Sequence, residues 1–293
     1  MTQRGYSIFA DTIADMDWPA VEAAAARGAV MMVPVAVIEQ HGSHLPLATD
    51  TYGAYLACTL IRADLQAAGI EAVIAPPYFL GMNYTTRMFP GSLNISRQTL
   101  MAALGECLRN YASWGFTTQF VLNHHGDPQH NAAIIDLIRE VRREGIDAVY
   151  TMGGFIQQFI EEAYKSWYGE GLPTDDPAML LAGESAETRE AVERLSRQSW
   201  GIHADERETS MIMRWFPETL RNAETIKDLE PMIPGLPAFD AAVARDGWRE
   251  LSPLGYLGDP AVATTENGDL YQFEARDMAR AVIARLKKDR PVG

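Results

Sequence analysis

The sequence predicts an α/β protein with a mainly parallel sheet and helices on both of its faces. Strand-like and helix-like segments alternate through the first 150 residues, which is typical of parallel sheets. The strand segments are short, apolar and rich in β-branched residues, as expected for strands that are covered on both faces. Two polar motifs directly follow strand segments, and ligands of parallel sheets bind at such strand ends.

Sequence signals indicate where the elements of the alternating region begin and end. A first helix is expected to begin near Asp17, because Asp is a good N-cap residue and the following Trp18-Pro19 places a proline in the first turn. Pro76-Pro77 interrupts the second strand segment, and Ser96 is expected to cap the third helix. The predicted segments are strands over 29–37, 71–79, 117–123 and 146–152 and helices over 51–69, 96–115 and 130–145.

The second half of the chain is less regular. Residues 153–202 are interpreted as an insertion, over the site or at a subunit contact, within a single domain that spans 1–293. Residues 230–262 are rich in Pro and Gly and are expected to run as loops. A helix is expected over 208–216, and an amphipathic helix with a basic last turn over 273–290.

Charge and composition exclude several classes of protein. Lys and Arg total 25 against 39 Asp and Glu, and a net charge of −14 argues against binding to nucleic acid or an anionic membrane. No apolar run reaches the roughly 18 residues that a membrane helix needs, and the N-terminus lacks the apolar core of a signal peptide. Cys58 and Cys107 are too few for a disulfide framework, so we expect reduced core residues in a cytoplasmic protein.

Five of the six histidines lie in two short loops, each directly after a predicted strand. His41 and His44 belong to the first loop, and His124, His125 and His130 belong to the second. Because the carboxyl ends of parallel strands meet at one edge of a sheet, this clustering indicates a shared site.

The first loop combines carboxylates with imidazoles. Glu39 and His41 are two residues apart, so their side chains point the same way in an extended segment. Gly42 and Pro46 then bend the chain and let Asp50 return to the site. Carboxylate and imidazole ligands suit zinc, manganese or iron(II). The alternative is a polar loop in which Asp50 only caps the following helix.

Two further segments could add ligands. In the second loop, the neighbours His124 and His125 cannot easily both face one ion, and Asp127 supplies a carboxylate. Further along, His203 and Glu208 are five residues apart, where a loop leads into a helix. The alternative for this last segment is a solvated acidic helix start, which the helix dipole favours.

The ligand supply predicts a hydrolytic metal site. Three or four carboxylates with two to four histidines fit two ions better than one, and a structural zinc site would prefer Cys. Ions with open positions lower the pKa of a bound water and polarise a carbonyl group. The P-loop, the dinucleotide motif after a strand, G-x-S-x-G and H-E-x-x-H are absent from the sequence.

Four motifs make the sequence resemble the creatininase (creatinine amidohydrolase) family. They are VPVAVIEQHGSHLPLATDTYGA, MFPGSLNIS, VLNHHGDPQHN and HADERETS, within residues 29–215. The second loop departs from the family pattern, because His124 stands where the family usually has Gly and about three residues are added.

The resemblance implies a three-layer α/β/α fold, a two-metal hydrolase site and a hexamer. The residues that match metal-binding or metal-adjacent positions are Glu39, His41, Asp50, His125 and Glu208. Asp50 matches the bridging carboxylate, and Asp127 competes with Glu208 for one ligand role. His203 matches the histidine that moves a proton to the leaving nitrogen, and Glu208 is the second candidate for a direct part in catalysis.

The expected function is hydrolysis of a non-peptide C–N bond in a small cyclic amide, or a related small-molecule amide, by a metal-activated hydroxide. We expect two divalent transition-metal ions, with zinc favoured over manganese or iron. The alternatives are a deformylase or small peptidase of the same family, and a non-catalytic protein that binds a metal or a small molecule. The residues expected to contact substrate are His44, His130, Arg87 and Trp200.

Overall fold

One parallel sheet organises the protein, whose computed structural model describes residues 7–173, 175–196, 201–245 and 247–289. The sheet has the strand order β2-β1-β3-β4-β5. All of its neighbouring strands pair in parallel, as the sequence predicts. The strands are β1 Val30–Val35, β2 Ala72–Ile74, β3 Thr118–Asn123, β4 Asp147–Met152 and β5 Met179–Leu181.

Helices cover both faces of this sheet and confirm the three-layer α/β/α fold. One apolar cluster joins the sheet to α1, α3, α4 and α5, and a second cluster joins the opposite face to α2 and α10. Across the described ranges, no helix has the combination of length and apolar character that a membrane span requires. The helices are α1 Trp18–Ala26, α2 Thr49–Ala67, α3 Arg97–Ser113, α4 Pro128–Arg143, α5 Gly154–Tyr168, α6 Ala186–Leu195, α7 Glu206–Trp215, α8 Leu236–Ala244, α9 Trp248–Leu251 and α10 Leu270–Asp289.

Strand β1 illustrates why the sheet is central. Its side chains alternate between the two faces, so Met31 and Val33 belong to one apolar cluster while Val30 and Met32 belong to the other. All four side chains are at most 1% exposed. A continuous apolar run is therefore required on this strand, and the sequence has one.

The predicted helix starts are confirmed at their caps. The Asp17 carboxylate accepts a hydrogen bond from the backbone N–H of Ala20, and the Ser96 hydroxyl accepts one from the N–H of Thr99. Helix α4 begins at Pro128, two residues earlier than expected, because Asp127 caps it and a proline fits the first turn.

Two segments of the second half carry regular secondary structure. Residues 153–202, interpreted as an insertion, also supply strand β5 and helices α5 and α6. The expectation of loops over 230–262 is wrong in part, because α8 and α9 lie within that range. Pro237 stands in the first turn of α8, where a proline costs no hydrogen bond, and Phe239 and Trp248 bury their rings in one apolar cluster.

Candidate metal centre

The candidate ligands converge at the carboxyl ends of β1 and β3. Glu39 and His41 follow β1, His125 follows β3, and Asp50 and Glu208 lie in the first turns of α2 and α7. A tight turn brings the first loop back, as the sequence predicts. Gly42 adopts a φ of 67° there, and the N–H of Glu39 donates to the carbonyl of Leu47 at 2.9 Å.

Two ligand groups share the Asp50 carboxylate. In one group, Nδ1 of His125 lies 2.9 Å from Oε1 of Glu39 and 3.0 Å from Oδ2 of Asp50. In the other, Nε2 of His41 lies 3.2 Å from Oδ1 of Asp50 and 3.6 Å from Oε2 of Glu208. Within each group the potential ligand atoms all lie within 4.8 Å of one another. Asp50 is therefore placed between two possible ion positions.

Asp50 does not cap α2. The N-cap position is Ala48, which makes no side-chain capping bond, and the Asp50 side chain is 2% exposed. Oδ2 of Asp50 has no hydrogen-bond partner among the described residues. The alternative in which Asp50 only caps α2 is therefore wrong.

Backbone carbonyls orient the two imidazoles. His41 donates from Nδ1 to the carbonyl of Glu39 at 3.2 Å, and His125 donates from Nε2 to the carbonyl of Met82 at 3.1 Å. Since a carbonyl can only accept, the proton of each neutral ring is on the nitrogen that faces it. The other nitrogen of each ring faces the carboxylates, as expected for a metal-binding histidine.

The charges at this centre are strongly interdependent. Burial opposes the charged form of His41, but the adjacent Glu208 and Asp50 carboxylates outweigh it and raise the His41 pKa well above its usual value. Glu39 and Asp50 raise the His125 pKa well above its usual value against the same effect of burial. The imidazoles in turn hold the pKa of Asp50 well below its usual value despite burial. The buried carboxylates therefore require positive charge nearby.

His203 lies beside the ligand groups, with one ring nitrogen held by the backbone. Its Nε2 lies 2.6 Å from the carbonyl oxygen of Gln40, and its Nδ1 lies 3.8 Å from Oε1 of Glu39. Glu39, His41 and His203 form a third group of possible ligands. Burial and the neighbouring His41 lower the His203 pKa, and the ring meets Trp248 edge to face at 5.0 Å between centroids.

Asp127 and Glu208, the two candidates for one ligand role, lie in different surroundings. Both oxygens of Asp127 accept backbone N–H bonds, from Gln129 and His130 at Oδ1 and from Thr85 at Oδ2. Asp127 belongs to none of the three ligand groups, whereas Glu208 belongs to one. Burial raises the pKa of Asp127, while His41 lowers that of Glu208 despite burial.

Three of the residues predicted to contact substrate, His44, His130 and Arg87, do not line the adjoining cavity. His44 is hydrogen-bonded to the Thr209 hydroxyl at 3.0 Å, and burial together with the charge of His41 lowers its pKa to about 4. His130 packs against His125 at 5.2 Å between ring centroids. Arg87 is half-buried, with its guanidinium 3.8 Å above the ring of Tyr84. Trp200 lies outside the described residues.

The cavity at the centre has a volume of about 90 Å³. Its wall includes Glu39, Asp50, His125, His203 and Glu208. Sequence reasoning missed other wall residues, because aromatic and charged residues within a helical pattern give no signal that they face a site. These are Arg207 of α7, Phe239 of α8, Trp248 of α9, and Tyr271, Glu274 and Met278 of α10.

Comparisons with known proteins agree with this architecture. The mycofactocin precursor peptide peptidase of Mycolicibacterium smegmatis is 28% identical over 264 residues, which cover 89% of this chain and 86% of that protein. The creatinine amidohydrolase of Pseudomonas putida is 26% identical over 188 residues, which cover 58% and 70%. The solved structure "Creatininase Mn" has 17% identity and a TM-score of 0.62, with 96% of this chain and 99% of that chain covered.

The family match extends over most of the sequence. The creatininase family, described as creatinine amidohydrolase, matches residues 14–283. With the fold and the three ligand groups, this match confirms the resemblance seen in the four motifs. The chain therefore belongs to the creatininase family of hydrolases.

Proposed function

We propose that the protein is a dinuclear metal-dependent amidohydrolase that cleaves a C–N bond of a small amide. The observation that carries this proposal is the shared carboxylate of Asp50. One of its oxygens faces His41 and the other faces His125, each in a separate ligand group. A carboxylate between two ions about 3.5–4 Å apart is the usual arrangement of two-metal hydrolases.

The side chains fit a pair of divalent ions. Oδ2 of Asp50 and Nε2 of His41 are buried without hydrogen-bond partners among the described residues. Glu39, Asp50 and Glu208 place three carboxylates together, and this negative charge needs compensation. When bound, divalent ions supply an activated water and polarise the substrate carbonyl. Zinc is our first choice, and manganese and iron are the alternatives for such nitrogen and oxygen donors.

In this proposal, ion binding and proton transfer belong to different residues. Glu39, Asp50 and His125 would hold one ion, and His41, Asp50 and Glu208 would hold the other. Nδ1 of His203 would accept a proton from the attacking water and pass it to the leaving nitrogen, because Nε2 already donates to the backbone carbonyl of Gln40. Trp248 packs against the His203 ring and limits its orientations.

The primary substrate class that we propose is a small, non-peptide amide, such as a cyclic amide or a formamide. A second candidate is a short peptide, because the curated relative from M. smegmatis is named for a precursor peptide. The apolar part of the cavity wall, which includes Leu122, Ile202 and Phe239, could receive an apolar side chain of either substrate.

The cellular setting is also proposed. Hexamer formation is inferred from family membership. A cytoplasmic location is consistent with the free thiols of Cys58 and Cys107, which burial makes harder to ionise by raising their pKa.

The decisive experiment combines metal analysis with a substrate panel. The purified chain is stripped with a chelator, reloaded with Zn²⁺, Mn²⁺ or Fe²⁺, and assayed on creatinine, other cyclic amides, formamides and short peptides. We expect about two ions per chain, no activity after stripping, and recovery on reloading. Selective cleavage of short peptides would replace the primary substrate class with the second. Activity that survives complete metal removal, or a chain that binds no ion, would overturn the dinuclear proposal.

A further inference from the structure

His124 lies next to the candidate ligand His125 but belongs to none of the three ligand groups. Its Nδ1 is 3.7 Å from Oδ1 of Asp50, the oxygen that also faces His41. That nitrogen has no hydrogen-bond partner among the described residues, although it is buried. The imidazole thus borders the outer side of the carboxylate that the two groups share.

Tyr271 of α10 holds this imidazole. The two rings stack with 5.6 Å between centroids and 25° between planes, and the phenol oxygen lies 3.2 Å from Nε2. Burial raises the pKa of Tyr271 well above its usual value, so the hydroxyl keeps its proton at neutral pH. A hydroxyl that donates to Nε2 leaves the ring proton on Nδ1, where it points towards Asp50.

Helix α2 leaves space for the imidazole of His124. Gly53 lies three residues after Asp50, and a Cβ atom at Gly53 would come within 2.5 Å of the His124 ring. Real Cβ atoms do not approach so closely, so a larger residue at this position would displace the ring. Asp50 and Gly53, which leaves the space for His124, therefore lie in the same turn of α2.

We propose that His124 is a positioning residue for Asp50. With the ring proton on Nδ1, this N–H faces Oδ1, favours one rotamer of the carboxylate and balances part of its charge, and donation from the Tyr271 hydroxyl to Nε2 supports that tautomer. This inference rests on the proposed dinuclear site, because its measured consequence is the retention of metal. Partners of this kind, which contact a ligand and not the ion, change metal affinity by about 10- to 100-fold.

Substitutions at His124 separate positioning from packing. The full chain is loaded with Zn²⁺, and zinc affinity and stoichiometry are measured by competition with a chelator. His124→Ala should weaken zinc binding about 10- to 100-fold. His124→Asn keeps an N–H donor near the place of Nδ1 and should retain most of the affinity. His124→Gln places its donor near Nε2 instead and should behave like the alanine variant.

Two tyrosine variants complete the test. Tyr271→Phe keeps the ring stack but removes the hydroxyl, so it should weaken zinc binding less than His124→Ala does. Tyr55→Phe is the matched control, because the Tyr55 hydroxyl on the same α2 helix donates to the Ala10 carbonyl and should not affect zinc binding. Wild-type affinity in His124→Ala, or equal losses in the asparagine and alanine variants, would overturn the positioning role. A wild-type chain that binds no zinc would instead overturn the proposed function.

Discussion

Nδ1 of His125 lies 3.0 Å from Oδ2 of Asp50, although one residue follows a strand and the other opens a helix. The opposite oxygen of Asp50 faces His41 at 3.2 Å. One carboxylate thus connects the two ligand groups, which makes it the most sensitive position in the centre.

Asp50→Asn should remove more metal than any other single ligand change. Asparagine keeps the shape of the side chain but loses the negative charge that both groups share, so both ion positions should weaken. We expect elemental analysis of the variant to give well under one ion per chain, against about two for the wild type. Retention of two ions with unchanged affinity would contradict the bridging role.

Glu208→Gln and Asp127→Asn form a matched pair that decides the remaining ligand. Glu208 lies 3.6 Å from His41 Nε2, whereas both oxygens of Asp127 accept backbone N–H groups. Elemental analysis should therefore show about one ion per chain in Glu208→Gln and about two in Asp127→Asn. The reverse result would assign the ligand role to Asp127.

His203→Gln should separate chemistry from metal binding. The glutamine can still donate to the Gln40 carbonyl, but it has no group in the place of Nδ1 that can transfer a proton. We expect kcat to fall about 100- to 10,000-fold with the ions retained. If the metal content fell instead, His203 would be a ligand within its group with Glu39 and His41.

The buried ion pair between Arg207 and Glu274 should respond strongly to the loss of one partner. The two side chains are 9% and 11% exposed, and they lie on the cavity wall. Glu274→Met leaves a buried guanidinium without this carboxylate and should lower the free energy of unfolding by about 3–5 kcal/mol. The double variant Arg207→Met with Glu274→Met should cost much less, which urea unfolding of the wild type, Glu274→Met and the double variant would test.

Asp277 should make stability depend on acidic pH. Its carboxylate accepts hydrogen bonds from the Ser185 N–H at 3.0 Å, from the Thr188 hydroxyl at 2.6 Å and from Arg280 at 2.7 Å. Burial opposes ionisation, but these bonds outweigh it and lower the Asp277 pKa. Since the folded pKa is below the unfolded value of about 3.9, the stabilisation is present above that pH and is lost as the pH falls through the folded pKa.

The measurement compares wild type with Asp277→Asn. Free energies of unfolding in urea are determined from about pH 6 to about pH 2.5, a range that extends below the unfolded pKa of about 3.9. The wild type should be more stable at the upper end, and the difference should shrink towards the lower end. A difference that is constant with pH would contradict the proposed contribution of the charge.

Local patterns predicted the alternating strands and helices of the first 150 residues correctly. The caps at Asp17 and Ser96 and the apolar run of β1 depend on neighbours within a turn or on the alternation of one strand. These elements could be predicted from the sequence because their signals are local. Helix α8 was missed, because the Pro- and Gly-rich composition around it favours loops, and because the apolar cluster that buries Phe239 includes Phe89, which is far away in the sequence.

The sequence by itself determined which ligand types this protein could offer and that two of the ligand loops directly follow strands. Only the tertiary structure decided that Glu208 faces His41 while Asp127 caps α4, and that His124 and Tyr271 stack beside Asp50. The physical reason is distance along the chain. Side-chain chemistry and local periodicity are properties of a short segment, whereas a metal centre and a cavity wall depend on the relative placement of segments that packing alone brings together.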